Sequence, residues 1–320
     1  MNELHPLHAL HRQLESVIVG QQALLERLVI AILAGGHVLL EGPPGLAKTT
    51  VVHALASGVA ASFQRVQFTP DLMPGDLTGS EIYEPANGSF RFVSGPLFHE
   101  ILLADEINRA PPKVQSALLE AMAEHQVTVG GQTHKLPELF MVLATQNPLE
   151  QSGTYPLPEA QLDRFLFKIL LDYPDIDEEI EITRRARRAE EGHVEADVTA
   201  SLSPEDILAL RKQLTEVFIE PRVERLAVEL VSATRQSDTW LPDSKGMVQA
   251  GASPRASIAL LQVACARAML NDRDYVLPED IYALAPDVLR HRLQLDFAAQ
   301  ASGTDADTLI QRLVDAVPAP

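Results

Sequence analysis

The residues best suited to chemistry are Lys48 and Thr49, which follow a loop rich in glycine and proline. From Gly42 this loop reads Gly-Pro-Pro-Gly-Leu-Ala, between an apolar run at 37–40 and a predicted helix at 49–56. A strand, a glycine loop and a helix in this order form an anion site, because loop N–H groups and the positive helix end point at a phosphate. We therefore expect Lys48 to add a positive charge and Thr49 to place its hydroxyl on a magnesium ion.

Ala47 departs from the general pattern Gly-x-x-x-x-Gly-Lys-[Ser/Thr], in which a second glycine precedes the lysine. If this position needs a positive φ, alanine costs on the order of 1 kcal/mol or more, whereas a place in the first helical turn costs nothing. The alternative is an ordinary strand, turn and helix with a chance lysine. The order of the elements favours the phosphate loop.

Three polar residues follow two other apolar runs. Asp105 and Glu106 end the run 101–104, and Asn147 comes shortly after the run 140–145. Parallel strands present their carboxyl ends at the sheet edge where ligands bind, so we expect these side chains near the phosphate loop. There Asp105 is suited to hold magnesium, Glu106 to accept a proton from water, and Asn147 to orient that water. The plainer alternatives are an acidic helix cap and an Asn-Pro turn.

Two arginines are candidates for contacts with the same phosphates. Arg164 precedes a predicted fifth strand, so it reaches a phosphate more easily on a neighbouring copy of the chain than on its own. An arginine supplied across an interface stabilises charge on the transferred phosphoryl group and is worth roughly 10³–10⁵ in rate. Arg255 opens a predicted helix and is a candidate for contact with the γ-phosphate. For both residues the alternative is a surface ion pair.

Composition narrows the class of protein. At 320 residues the chain is long enough for two domains, and no apolar stretch approaches the roughly 18 residues of a membrane span. The net charge of −18 makes nucleic acid a disfavoured partner. The single cysteine, Cys265, fits a small buried side chain. With no secretory pattern at the N-terminus, this cysteine usage favours a cytoplasmic location.

Strands and helices alternate through the first half of the chain, which is typical of an α/β fold with a parallel sheet. The predicted strands are 37–40, 63–69, 101–104, 140–145 and 165–171. The predicted helices are 7–33, with a break at 17–21, then 49–56 and 113–124. Two β-hairpins are predicted near 80–94 and 126–136, from alternating residues around Asn-Gly and Gly-Gly turns.

The pattern changes after residue 173. No further strand is evident, and the predicted helices are 176–192, 204–218, 222–236, 255–270 and 279–293. Prolines lie at or near the starts of these segments, where a helix tolerates them. We therefore divide the chain into a core of residues 1–173, which includes both hairpins, and a helical domain of residues 174–320.

Taken together, the motifs resemble those of the MoxR-type AAA+ ATPases over nearly the whole chain. The segments that carry the resemblance are Val-Gly-Gln at 19–21, Gly-Pro-Pro-Gly-Leu-Ala-Lys-Thr at 42–49, 65–72, Gly-Pro-Leu-Phe at 95–98, 104–110, Ala-Thr-Gln-Asn-Pro at 144–148, 159–165 and Ser-Pro-Arg-Ala at 253–256. Each segment is weak alone, but their order and spacing are specific. Ala47 departs from the general motif and not from this family.

The resemblance implies a sheet in the strand order 5-1-4-3-2 and an all-helical lid. The implied roles are Lys48 and Thr49 as Walker A, Asp105 and Glu106 as Walker B, Asn147 as sensor 1, Arg164 as arginine finger and Arg255 as sensor 2. The implied nucleotide-binding set is Val19, Gly20, Gly42, Pro43, Pro44, Gly45, Leu46, Ala47, Lys48, Thr49 and Thr50, with Thr49 and Asp105 on Mg²⁺. Arg109 is a further candidate interface arginine. For Val19 and Gly20 the residues alone favour a plain turn between helices, and the resemblance reverses this to an adenine pocket.

The resemblance also implies an Mg²⁺-dependent ATPase that assembles as hexameric rings. Members act as chaperone-like factors on protein clients, often with a von Willebrand factor A-domain partner, in complex assembly or metal-cofactor insertion. Two other interpretations stay open, a nucleic-acid motor and a ring that binds ATP without hydrolysing it. The acidic charge argues against the first, and Glu106 argues against the second.

Overall fold

The structure, a computed structural model, describes residues 6–46, 48–86, 88–148, 153–191 and 198–319. Its helices are α1 (Pro6–Val17), α2 (Gln22–Ala34), α3 (Lys48–Gly58), α4 (Pro74–Thr78), α5 (Pro112–Glu124), α6 (Glu159–Leu162), α7 (Ile176–Glu190), α8 (Pro204–Gln213), α9 (Pro221–Arg235), α10 (Ser237–Trp240), α11 (Pro254–Leu270), α12 (Pro278–Leu289), α13 (Phe297–Ala301) and α14 (Ala306–Ala316). Its strands are β1 (Val38–Glu41), β2 (Phe63–Gln67), β3 (Gly79–Glu84), β4 (Ser89–Ser94), β5 (Ile101–Asp105), β6 (Gln126–Val129), β7 (Gln132–Lys135), β8 (Met141–Gln146), β9 (Phe167–Leu170), β10 (Val248–Ala250) and β11 (Gln294–Leu295).

Five strands form the central sheet, in the order β2-β5-β8-β1-β9. Numbered as the five predicted strands, this order is 2-3-4-1-5, so the expected order 5-1-4-3-2 is confirmed. The pairings of β1 with β8, β8 with β5 and β5 with β2 are parallel. The segments 38–40, 101–104 and 141–144 are buried at every residue, as is typical of strands in parallel sheets. Their carboxyl ends therefore lie along one edge of the sheet.

Both predicted hairpins are present. β3 pairs with β4 and β6 pairs with β7, each in antiparallel register. The two hairpins contact each other, because the ring of Phe92 on β4 stacks on that of His134 on β7 with centroids 3.9 Å apart. Asn87, which the sequence analysis places in the turn of the first hairpin, lies outside the described residues.

Contacts group the chain into two compact units. The first contains residues 1–157 and 169–209, and the second contains 158–168 and 210–320. This grouping differs from the predicted boundary after residue 173, which followed the end of the last core strand. Helix α7 belongs to the first unit, where Arg185 donates to the carbonyl oxygens of Ser16 and Val17 at 2.8 and 3.2 Å.

The second unit is built around four helices. α11 packs against α9 and α12, and α14 packs against α12 and α9. Buried side chains fill the space between them, and these include Leu226, Leu230, Val263, Leu284 and Leu313. Helix α14 is not among the predicted elements, although Leu309, Ile310 and Leu313 are buried at helical spacing.

The expectation that no strand follows residue 173 is wrong. β10 and β11 form a two-stranded antiparallel sheet in which Val248 lies opposite Leu295. These strands have three and two residues, which is too short for an alternating pattern to be visible in the sequence. The second unit is thus helical except for this small sheet. Among the described residues, none of the helices combines the length and apolar character that a membrane crossing needs.

Candidate nucleotide-binding site

The loop after β1 is the one in which the sequence predicts an anion site. Gly42 leaves no space for a side chain, since a Cβ there would lie 2.6 Å from the carbonyl oxygen of Leu171. Gly45 has a φ of +86°, a conformation that favours glycine. Lys48, the first residue of α3, donates from Nζ to the carbonyl oxygen of Gly42 at 2.7 Å. The lysine therefore lies across the loop that precedes it, at the positive end of a helix.

The other loop residues differ in exposure. Leu46 is buried, Thr49 is half-buried and Thr50 is exposed, while Pro43 is half-buried and Pro44 is exposed. Ala47 lies outside the described residues, so its place in the loop stays a prediction.

Lys48 also lies within electrostatic reach of the predicted Walker B pair. Burial lowers the pKa of Lys48 below its ordinary value, and the negative charges of Asp105 and Glu106 act in the opposite direction. The charges of both carboxylates therefore act on Lys48.

Thr145 joins the two Walker B residues and was not identified from the sequence. Its Oγ1 donates to Asp105 Oδ1 at 2.6 Å and accepts from the backbone N–H of Glu106 at 2.8 Å. Thr145 is 2% exposed. No local pattern in the sequence marks this threonine, because its contact with Asp105 follows from the pairing of Ala104 with Ala144 in the sheet.

Arg65 on β2 is a second partner of Asp105, and the motifs did not identify it as part of the site. Its guanidinium donates to Asp105 Oδ2, from Nη2 at 2.6 Å and from Nε at 3.1 Å. Because β2 pairs with β5 in parallel register, with Gln67 opposite Asp105, its side chains reach the Walker B pair. The Arg65 side chain is 48% exposed, so it can leave Asp105 at little cost.

Glu106 has an unusual backbone conformation, and two donors contact its side chain. Its φ is +57°, which is uncommon for a residue other than glycine and is often found at functional sites. Its Oε2 accepts from Gln67 Nε2 at 2.7 Å and pairs with Arg109 Nε at 3.1 Å. Arg109, a candidate interface arginine, thus contacts Glu106 of its own chain. Asn147 is half-buried and directly follows β8, at the same edge of the sheet.

The predicted adenine-binding loop has two successive residues of positive φ, Gly20 at +68° and Gln21 at +54°. A Cβ on Gly20 would lie 2.2 Å from the Glu178 carboxylate, so only glycine fits there without movement. The side-chain oxygen Oε1 of Gln21 is buried and has no hydrogen-bond partner. An unpaired acceptor beside a glycine, which has no side chain, suits a flat ligand with polar edges such as adenine. Val19 is half-buried beside it.

The two remaining predicted residues, Arg164 and Arg255, belong to the second unit. Arg164 is exposed and lies just after α6, and Arg255 is the second residue of α11 with a side chain that is 75% exposed. Arg255 Nη1 lies 3.6 Å from Oδ2 of Asp163, the residue before Arg164. The predicted residues are thus divided between the two units, with Arg164 and Arg255 in the second and the others in the first.

Comparisons with known proteins identify the families that the two parts of the chain match. The family described as "ATPase family associated with various cellular activities (AAA)" matches residues 37–167, and the family described as "AAA lid domain" matches residues 243–313. Chaperone MoxR1 of Mycobacterium tuberculosis is 44% identical over 319 residues, which cover 99% of this chain and 83% of that protein. The uncharacterized protein YeaC of Bacillus subtilis is 44% identical over 319 residues, or 99% of this chain and 96% of that protein.

A solved structure supports the same assignment. The crystal structure of a candidate ATPase from Cytophaga hutchinsonii is 46% identical and superimposes with a TM-score of 0.91, covering 98% of this chain and 95% of that one. The phosphate loop, the carboxylate pair at the sheet edge and these full-length likenesses lead to one conclusion: the chain belongs to the MoxR family of AAA+ ATPases.

Proposed function

We propose that the protein binds ATP with Mg²⁺, hydrolyses it, and uses the energy as a chaperone that remodels or assembles protein clients. The observation that carries this proposal is the cluster of Lys48, Asp105 and Glu106 at the carboxyl edge of the sheet. A phosphate-binding lysine beside two carboxylates is the minimum needed to hold a nucleotide and to activate water.

In this proposal the loop and Lys48 bind the β- and γ-phosphates, while the Thr49 hydroxyl and Asp105 hold Mg²⁺. When bound, the ion neutralises charge on the phosphate oxygens. The residues fit this ion, because hydroxyl and carboxylate oxygens are ligands that Mg²⁺ prefers. Thr145 fixes Oδ1 of Asp105, and Arg65, which contacts Oδ2, is exposed enough for the ion to replace it.

Glu106 is the proposed general base, and Asn147 orients the attacking water. Gln67 and Arg109 both contact Oε2 of Glu106 and so fix the direction of its carboxylate. Val19 and Gly20 receive the adenine ring, with Gln21 Oε1 as a free acceptor at its edge.

Arg164 is the proposed arginine finger, supplied to the site of a neighbouring copy, and Arg255 is the proposed sensor 2 for the γ-phosphate. This division requires a homo-oligomeric ring, which we propose to be a hexamer in the cytoplasm. The name of the relative Chaperone MoxR1 supports a protein client. We propose that the client or its adaptor carries a von Willebrand factor A domain, and that complex assembly or metal-cofactor insertion is the outcome.

The Glu106→Gln variant tests hydrolysis. It keeps the size and polarity of the side chain but cannot accept the proton, so we expect ATP binding within about twofold of the parent and phosphate release reduced roughly 10²–10⁴-fold. Lys48→Ala is the matched control, in which binding itself is lost. Near-normal phosphate release from Glu106→Gln would rule out the assignment of the base. The same variant held in ATP is the bait for capture of the client, and capture must disappear with Lys48→Ala.

A further inference from the structure

Asp163 is bound by two arginines from different parts of the second unit. Arg292 donates from Nε to Oδ1 of Asp163 at 2.7 Å. Arg255 lies on the other carboxylate oxygen, with Nη1 3.6 Å from Oδ2. Asp163 directly precedes Arg164, the proposed arginine finger. Of the two arginines predicted to meet phosphates, Arg255 therefore contacts this carboxylate and Arg164 is the next residue in the chain.

The two arginine contacts differ in strength. The Arg292 side chain is 5% exposed and the Asp163 side chain 20%, so this pair is largely shielded from water. The Arg255 side chain is 75% exposed and its contact is longer, so it contributes little and is easily broken. Arg292 is thus the fixed partner of Asp163, and Arg255 is the labile one.

The backbone on both sides of Arg164 is hydrogen-bonded to the segment that follows α12. Arg292 Nη2 donates to the carbonyl oxygens of Asp163 and Phe165, at 3.3 and 2.8 Å. His291 Nε2 donates to the same Phe165 oxygen at 2.9 Å. Because the imidazole and the guanidinium hold the carbonyl groups of the two residues that flank Arg164, we expect a shift of the segment after α12 to shift Arg164 as well.

The small sheet of β10 and β11 explains why these residues meet. β11 begins two residues after Arg292, and β10 ends five residues before Arg255. Pairing of the two strands brings both arginines to Asp163, although Arg292 and Asp163 are 129 residues apart in the chain.

We propose that Asp163 is a positioning residue that links Arg255 to Arg164, so that the nucleotide site of one subunit influences the arginine finger it supplies to the next. The link rests on the proposed function. When Arg255 turns toward a phosphate, Asp163 loses its exposed partner and keeps Arg292. The negative charge beside Arg164 is then less neutralised, which changes the preferred position of the finger.

The test uses rings mixed from two variants. The acceptor subunit carries Arg164→Ala and keeps an intact nucleotide site, and the donor subunit carries Glu106→Gln and keeps its finger. Each alone is expected to release little phosphate, whereas mixing restores release at acceptor sites that face a donor finger. If this parent mixture recovers no activity, the sharing of Arg164 fails and the link falls with it.

Donors with a second change then test the link alone. Relative to the parent mixture, a donor with Asp163→Asn is expected to lower the recovered rate at least about fivefold. The ATP affinity of the donor is expected to stay within about fivefold of the parent, since the Arg255 contact that competes with the phosphate is an exposed one. Asp163→Glu in the donor is expected to restore most of the loss. The matched control is Asp243→Asn, which removes an exposed carboxylate that pairs with Arg312 at 2.7 Å in the same unit. Equal recovery with Asp163→Asn and Asp243→Asn would overturn the proposal while leaving the shared site intact.

A second donor covers the case in which Asp163→Asn destabilises the unit. Arg255→Gln removes only the exposed partner and leaves Asp163 with Arg292. Because the measured turnover occurs at the acceptor site, any loss caused by this change in the donor acts across the interface. We expect a fall of roughly threefold in the rate at saturating ATP with KM unchanged. An unchanged rate would count against the link.

Discussion

Asp280 in the second unit and Asp105 in the first are both paired with arginine, but in different surroundings. Both carboxylate oxygens of Asp280 accept hydrogen bonds from Arg273, at 2.7 and 2.8 Å. One of them also accepts from Arg267 at 2.9 Å. Its side chain is 1% exposed, and it also accepts from the N–H of Leu277 at the start of α12. All its lone pairs face protein donors, so the cluster holds α11 and α12 together.

Asp105 in the first unit pairs with one arginine, Arg65, in a less buried position. Its side chain is 17% exposed and that of Arg65 is 48% exposed, so water competes for both partners. Breaking a buried pair leaves an uncompensated charge, whereas breaking an exposed pair costs little. The comparison teaches that burial, more than the presence of an ion pair, separates an aspartate that stabilises the fold from the one that we propose exchanges its partner for a metal ion.

Asp280→Asn is expected to have the largest effect on stability. The substitution leaves two arginines in a poorly hydrated position without their anion, so we expect a loss of roughly 3–5 kcal/mol in the free energy of unfolding. Chemical denaturation monitored by circular dichroism measures this loss. Asp243→Asn is the exposed control and is expected to change nothing measurable. A small loss for Asp280→Asn would remove the distinction drawn between the two aspartates.

Asp105→Asn is expected to affect turnover and not stability. The amide keeps the hydrogen bond from Thr145 but loses the charge that attracts Mg²⁺, so phosphate release should fall roughly 10²-fold or more. The free energy of unfolding should stay within about 1 kcal/mol of the parent. Phosphate release across a magnesium titration, beside denaturation of the same samples, checks both parts. Equal losses for Asp105→Asn and Asp280→Asn in denaturation would contradict the comparison.

His291 extends the comparison to pH. Burial, and next the charge of Arg292, lowers the pKa of His291 well below its ordinary value of 6.5. The unfolded chain takes up this proton near pH 6.5 while the folded protein does not. The contribution of neutral, buried His291 to the free energy of unfolding is therefore complete above pH 6.5. It is lost as the pH falls below 6.5, by up to about 1.4 kcal/mol per pH unit.

The substitution His291→Gln should remove this part of the acid sensitivity. Thermal unfolding of the parent and the variant between pH 7.5 and 5 measures the difference. His53→Gln, at an exposed position, is the control and should leave the pH dependence unchanged. Parallel curves for the parent and His291→Gln would show that burial of this histidine does not govern the acid response.

Arg65→Ala is expected to give the smallest effect. It frees Asp105 Oδ2 from an exposed partner, so we expect the Mg²⁺ concentration for half-maximal phosphate release to fall roughly threefold, with stability nearly unchanged. Arg91→Ala is a control, since Arg91 forms an exposed pair with Glu84 on the hairpin. A higher Mg²⁺ requirement in Arg65→Ala would mean that Arg65 helps to hold the metal site and does not compete for it.

The sequence by itself determined the core sheet, its strand order through the family resemblance, and the loop that precedes Lys48. Continuous apolar runs such as 101–104 and the glycine loop are local signals, readable within a few residues. Asp105 and Glu106 were found for the same reason, because they end such a run. The long helices α9, α11 and α12 of the second unit were also predicted, since their apolar residues recur at helical spacing, whereas α14 and the short helices α6, α10 and α13 were not.

The tertiary structure alone decided which partners those residues have. Arg65 and Thr145 are each 40 residues from Asp105, and Arg292 is 129 residues from Asp163. No periodicity connects residues so far apart. The two-residue strand β11 is likewise too short to show in the sequence, yet its pairing with β10 brings Arg255 and Arg292 to one carboxylate. Local patterns specify elements, whereas charge pairing depends on how the folded chain brings distant segments together.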